Sequence, residues 1–205
     1  MSKIVIIDYG VGNFRNVQKA FEAVGAPAVI SDSVEVARQA EALVLPGVGA
    51  FGDAIDNLRV RGLDQPVLDA AQAGKPLFGI CVGLQLLFDE SEEMGQHIGL
   101  GLLPGKIVRF PRHLTVPHMG WNQIEPQLDH PLLKDVVPGD FAYFAHSYYA
   151  APADPGHVIA TTDYGQPFAS VVAKDNVYAI QFHPEKSQQV GLRILKNFVD
   201  LASKG

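Results

Sequence analysis

Cys81 is the sole cysteine of the chain, and it stands in Gly79-Ile80-Cys81-Val82-Gly83, after one apolar run and before another. Small residues two positions either side of a nucleophile suit a tight strand-to-helix turn. Such a turn strains the central residue and brings neighbouring backbones close together. A helix starting just after Cys81 would aim N–H groups at a thiolate and at an oxyanion formed beside it. A lone cysteine in a reducing compartment is ordinarily a small buried hydrophobe; the flanking glycines reverse that expectation, because core filling needs no tight turn. The second group is Gln181-Phe182-His183-Pro184-Glu185, at the end of another apolar run. Residues two apart on an extended chain point the same way, so His183 and Glu185 can pair, and Pro184 cannot continue a ladder. A carboxylate beside an imidazole fixes its tautomer and stabilises the cation formed on proton abstraction. A His-x-Glu pair alone says little. With Cys81 it supplies nucleophile, base and orienter.

A third segment, Leu45-Pro46-Gly47-Val48-Gly49-Ala50-Phe51-Gly52, carries no acid or base. It lacks the Gly-Lys-Ser/Thr ending of a phosphate loop, and its lone Gly-x-Gly is a poor dinucleotide signature. What it can offer is backbone N–H groups from Gly47, Val48 and Gly49, beside that of Val82. One oxyanion donor is worth about 2.7–4 kcal/mol.

The elements that must hold these groups alternate in type. Residues 3–8, 28–30, 42–45 and 76–80 read as short, continuously apolar strands of the kind covered on both faces. Between them Phe14, Val17, Phe21 and Val24 mark one face of a helix, and Ser31, Asp32 and Ser33 are cap residues for a second that ends near Ala40. Helical patterns run on to Ala73 with a break at Gly62, and a further helix is expected over 83–88. This predicts an α/β fold with a central, mostly parallel sheet flanked by helices. Closely spaced strand patterns at 107–110, 121–124, 140–146, 158–162, 168–173 and 177–182 add antiparallel strands in the C-terminal half, with a hairpin at Asn176. Residues 188–202 close the chain as a helix. The region of Leu114 and residues 150–157 read as loops. With no linker or repeat in view, residues 1–205 are expected to form one domain.

Composition excludes several classes. The chain has 205 residues, 47% hydrophobic and 19% charged, so wholesale disorder is out. A formal net charge of −6 gives no basic excess for nucleic acid or an anionic membrane. No apolar run approaches the length of a signal core or a membrane span, and one cysteine cannot form an internal disulfide. A cytoplasmic home is expected. His97, His113, His130 and His157 lie in polar or Pro/Gly-containing stretches and are expected at the surface; no histidine pair has zinc-helix spacing, so no metal site is expected.

Taken together, Pro-Gly-Val-Gly at 46–49, Gly-Ile-Cys-Val-Gly-Leu-Gln at 79–85 and His-Pro-Glu at 183–185 resemble the class I, triad-type glutamine amidotransferases over essentially the whole chain. Gly12-Asn13, Pro-His-Met-Gly-Trp-Asn at 117–122, Phe-Ala-His-Ser-Tyr at 144–148 and residues 181–187 narrow the resemblance to the glutaminase subunits of imidazole glycerol phosphate synthases. The resemblance implies that Cys81 attacks the glutamine carboxamide, His183 moves protons and Glu185 holds His183. It implies that Gln85 helps hold glutamine, and that the backbone of Ser147 and Tyr148 contacts its amino-acid end. It also implies a Val48–Gly49 peptide that turns its N–H toward the oxyanion, so that Gly49→Pro would remove a donor. No cofactor is implied. The implied partner is a separate (β/α)8-barrel cyclase forming a heterodimer. It would receive the ammonia and make imidazole glycerol phosphate and AICAR, with weak glutaminase turnover until it binds with its ligand. Asn13, Arg15, Asn16, His118, Met119, Trp121 and Asn122 match interface-lining segments; for Trp121 a core position is equally open from sequence. Two alternatives stand: another cysteine hydrolase or amidotransferase of the same fold, and a silent binding subunit. Intact Cys81, His183 and Glu185 speak against the second.

Overall fold

The computed structural model describes residues 4–203; Lys3, expected to open the first strand, lies outside them. In chain order the elements are β1 (Ile4–Ile7), α1 (Phe14–Ala23), β2 (Val29–Ser31), α2 (Val34–Arg38), β3 (Ala42–Gly47), α3 (Phe51–Val60), α4 (Asp64–Gln72), β4 (Leu77–Cys81), α5 (Val82–Leu86), β5 (Phe88–Ser91) and β6 (His97–Ile98). There follow β7 (Leu103–Arg109), β8 (His118–Pro126), β9 (Asp140–His146), β10 (Tyr148–Pro152), β11 (Val158–Asp163), β12 (Pro167–Lys174), β13 (Val177–Ile180) and α6 (Gln188–Ala202).

Every residue of β1, β3 and β4 is buried, which is why these strands carry no polar alternation. They run in the order β2-β1-β3-β4-β13, all parallel. Beyond β13 the same sheet turns mainly antiparallel through β12 and β10, while β11, β8 and β9 branch from it. The α/β expectation, parallel centre and antiparallel additions, describes this mixed sheet. Alternation along β4 sets its two faces. Phe78 stacks on Phe198 of α6 at 4.7 Å, whereas a Cβ at Gly79 would meet Leu84 and Gly83 of α5. Hence α5 and α6 cover opposite faces. The buried stripe of α6, with Ile194, Leu195, Phe198 and Ala202, meets α1 through the edge-on Phe21–Phe198 pair.

The expected hairpin is present, Lys174 pairing with Val177 across a turn whose Asp175 has φ 53°. Asn176 fastens that turn by donating to the carbonyls of Ala71 and Lys75. Three expectations need correction. The helix after Cys81 stops at Leu86, and Phe88 begins a strand; in Leu84-Gln85-Leu86-Leu87-Phe88 one polar residue among four apolar ones is too short a run to tell helix from strand. The strand expected at 107–110 begins at Leu103 and ends at Arg109. Residues 150–152 belong to β10, and only 155–157 form a helical turn.

Candidate active site

Three adjacent parallel strands end at one place. Gly47 at the end of β3 is paired with Cys81 at the end of β4, and Ile80 is paired with Ile180 at the end of β13. The glycine loop, the sulfur and the His-Pro-Glu segment therefore emerge side by side at the carboxyl edge of the sheet, where α/β folds build their sites. Cys81 has φ 55° and ψ −112°, a strain of order 1–3 kcal/mol for a residue with a Cβ. Close backbone packing holds it there. A Cβ on Gly83 would lie 1.7 Å from the Leu45 carbonyl oxygen, and one on Gly79 2.9 Å from the Gly83 oxygen. The two glycines predicted from the turn are thus required by the approach of α5 to β3 and β4.

Cys81 is 3% exposed and His183 5%. The Cys81 sulfur and the His183 ring line the same cavity and interact electrostatically, and the His183 Nδ1 lies 3.1 Å from Glu185 Oε1. Burial alone would lower the His183 pKa. The facing sulfur and the Glu185 carboxylate outweigh it and push the value up to about 10, so the ring rests as a cation beside the sulfur. The backbone of His183 is clamped in turn: its N–H donates to the Tyr143 carbonyl at 2.9 Å, and its carbonyl accepts from Ser187 Oγ at 2.6 Å. Gln181, fully buried, donates from Nε2 to the sulfur at 3.7 Å. Sequence assigns no chemical role to Gln181, Ser187 or Tyr143; their contacts depend on register and on a strand crossing that local patterns do not reveal.

A cavity of about 200 Å³ opens over the sulfur. Val48, Gly49, Val82, Gln85, Ser147 and Tyr148 all line it, together with Cys81 and His183. Val82 is the first residue of α5, so its N–H has no intrahelical acceptor. Gly49 has φ +85° with open space around its Cβ position. Gly47 is set back from the cavity wall: a Cβ there would lie 2.4 Å from Tyr9 Oη and 2.9 Å from Val82 Cβ. Tyr9 itself is buried, its hydroxyl has no partner, and burial and the nearby sulfur push its pKa upward. Gln85 is tied into the protein, its Nε2 donating to the Tyr148 carbonyl at 3.0 Å and to Gln181 Oε1 at 3.2 Å. Glu93 also faces the cavity, its Oε2 accepting from the Phe51 N–H at 2.8 Å. Burial raises its pKa in spite of that bond. It was missed because it follows an excursion, β5, with no clear sequence pattern.

The segments expected at an interface are scattered. Arg15 and Asn16 are exposed on α1, and Asn13 precedes that helix half-buried. Asn16 borders a hollow that includes Glu185 and Gln188, and Gln188 also borders the hollow under Trp121 and Phe141. Trp121 is 47% and Met119 64% exposed, so Trp121 is a surface residue. His118 departs from the expectation: it is 4% exposed, with its ring between Phe144 and Tyr164. Asn122 is half-buried and bonded to it. Of the four histidines expected at the surface only His113 is exposed. His97 packs against Phe51, His130 caps a turn by accepting from the Leu132 N–H, and His157 pairs with Asp154.

A strained cysteine, a carboxylate-held imidazole and free N–H groups around one cavity are the parts of a thioester-forming hydrolase. The chain belongs to the class-I glutamine amidotransferase family, whose model matches residues 5–201. Within that family its similarity is to proteins named imidazole glycerol phosphate synthase subunit HisH. The Syntrophotalea carbinolica protein is 56% identical, over 97% of this chain and 100% of its own. The Salinibacter ruber protein is 52% identical, over 96% and 93%. Among solved structures, one described as a glutamine amidotransferase superposes with a TM-score of 0.77 over 98% of both chains at 22% identity, a likeness of fold.

Proposed function

We propose that this chain, as one domain, is the glutaminase subunit of an imidazole glycerol phosphate synthase in histidine biosynthesis. It hydrolyses glutamine and hands ammonia to a separate (β/α)8-barrel cyclase in a cytoplasmic heterodimer. The observation that carries the reading is the Cys81–His183–Glu185 alignment at the floor of a cavity that has both N–H donors and an acidic wall.

The Cys81 thiolate attacks the carboxamide carbon of glutamine, and the oxygen of the tetrahedral adduct takes N–H bonds from Val82 and from the Gly49 end of the glycine loop. His183, held as a cation, gives its proton to the departing nitrogen, and ammonia leaves the thioester. The now neutral His183 takes a proton from water as it attacks the thioester carbon, and glutamate is released as the thiolate and imidazolium return. Glu185 steadies the imidazolium at Nδ1. The Glu93 carboxylate suits the α-ammonium of the substrate, and the backbone of Ser147 and Tyr148 suits its α-carboxyl end. Gln85 holds that segment from below. The half-exposed Trp121 and Met119, with Asn13, Arg15, Asn16 and Asn122, are the proposed contact region for the cyclase.

The test is glutamate release from purified protein, with and without a barrel cyclase and its ligand, beside labelling by a glutamine-like electrophile. Stimulated release and a single adduct on Cys81, both lost in Cys81→Ala, are the expected results. Release at the wild-type rate by Cys81→Ala, or labelling elsewhere, overturns the reading.

A further inference from the structure

Two buried histidines stand beside this machinery without entering it. His146 ends β9 and lines the cavity. Its Nδ1 lies 2.8 Å from the Tyr148 carbonyl, the same oxygen that accepts from Gln85. A carbonyl only accepts, so the His146 proton is on Nδ1. Burial pushes His146 down to about 3 and His118 down to about 4, so both rings are neutral at physiological pH. The His146 Nε2 is then an acceptor. Its partner at 3.1 Å, His118 Nδ1, must donate. That leaves His118 Nε2 as an acceptor toward Asn122 Nδ2 at 3.2 Å. The Asn122 amide is oriented independently: its Oδ1 accepts from the Gln123 N–H at 2.8 Å and its Nδ2 donates to the Asp163 carbonyl at 2.7 Å. Backbone groups at both ends thus dictate every proton between them. Stacking of His118 on Phe144 and Tyr164 leaves its ring no room to turn over.

The anchored end matters because Ser147 belongs to neither β9 nor β10. The Ser147 carbonyl accepts from the Phe110 N–H at 3.1 Å, and the next carbonyl, that of Tyr148, is held by the Gln85 and His146 side chains. We propose that His146 is a positioning residue for glutamine: locked in one tautomer by His118 and Asn122, it pins the Tyr148 carbonyl and so sets the Ser147–Tyr148 backbone against which the substrate's amino-acid end lies. This rests on the glutaminase reading. It adds a requirement that the reading does not contain, since the triad is complete without either ring.

The experiment measures kcat and KM for glutamine in the complex with the cyclase. His146→Leu removes the donor, and KM is expected to rise about tenfold, the worth of one such bond, with kcat altered far less. His146→Asn returns an amide N–H near the Nδ1 position and is expected to bring KM back within about threefold of wild type. His118→Phe keeps the stacking, frees the far side of His146 and gives an intermediate KM. A merely structural role would reduce the amount of active enzyme and leave KM unchanged, and that result overturns the proposal. If His146→Leu fails to fold, nitrogen-15 NMR of the wild-type rings decides: both must carry the proton on Nδ1, and a proton on His146 Nε2 overturns it. A wild-type complex that releases no glutamate would instead defeat the glutaminase reading, with the NMR result still deciding the tautomers.

Discussion

Acidification tests the burial of the histidine pair by a route independent of catalysis. An unfolded histidine titrates near 6.5, whereas folded His118 and His146 are held down to about 4 and about 3. Both are buried, at 4% and 6% exposure. As pH falls below 6.5 the unfolded chain takes up two protons that the folded chain refuses, so stability drops until the folded values are reached. Between pH 7 and pH 5 linkage gives a loss of ~2 kcal/mol per ring, or ~4 kcal/mol for the pair. His183 has the opposite sign. Its value is raised to about 10, so its contribution is complete below 6.5 and is lost as pH rises through about 10. Over the same acid interval it returns a little under ~1 kcal/mol. Wild type should therefore lose about 3 kcal/mol from these three rings. Glu93, whose carboxyl is raised by burial, also gains on acidification, so a differential measurement is needed. Urea melts of wild type and of the His118→Phe, His146→Leu double variant at both pH values isolate the pair, because His183 and Glu93 are common to the two proteins. The wild type should lose about 4 kcal/mol more than the double variant. Equal losses would show that the rings are not held neutral, and the proton ordering deduced for them would fail.

Other perturbations act on the elbow and the loop. Gly83→Ala puts a methyl 1.7 Å from a backbone oxygen, so α5 must shift; the cost is about 3 kcal/mol or more, and differential scanning should show Tm falling by roughly 6–12 °C together with loss of Cys81 labelling. Gly49 at φ +85° rules out Gly49→Pro as a clean test, because the ring fixes φ near −65°. Gly49→Ala meets no atom and keeps the N–H; with a cost of about 1 kcal/mol for positive φ, stimulated kcat should fall roughly fivefold at unchanged KM. Glu185→Gln keeps the shape and removes the charge that holds His183; kcat should fall about 10²–10⁴-fold, with the electrophile's adduct on Cys81 forming more slowly.

The sequence disclosed what is local and hid what depends on register. Cys81 was legible because its strained turn needs glycines at fixed offsets; His183 and Glu185 do pair, but the extended chain expected to align them ends at Ile180, and a single 3-10 turn over Pro184–Lys186 brings the carboxylate to the ring instead. Glu93 was hidden behind β5, where Phe88-Asp89-Glu90-Ser91 has buried ends, a more open middle and no alternation to mark a strand. Gln181 touches Cys81 across a sequence separation of 100, and only the pairing of β13 with β4 reveals it. Four polar-context histidines read alike, yet three of them are held by a ring contact, a turn or a carboxylate 3.7 Å away. Composition cannot separate a histidine that caps a turn from one that is merely solvated.

Register also explains why the site tolerates no slip. A strand displaced by one residue presents its opposite face. Moving β13 by one against β4 would turn Gln181 away from the sulfur and carry His183 out of the clamp made by Tyr143 and Ser187. Moving β3 by one would unpair Gly47 from Cys81 and bring a residue with a Cβ against Tyr9 and Val82. Every residue of β3, β4 and β13 is buried, so no apolar–polar alternation fixes their register; the glycines at closest approach do, Gly47 against Tyr9 and Val82 and Gly79 against Gly83 and Leu84. The glycines that admit this close packing therefore also align the sulfur with the glycine loop, and a residue with a Cβ at any of those positions would disturb the sheet and the site together.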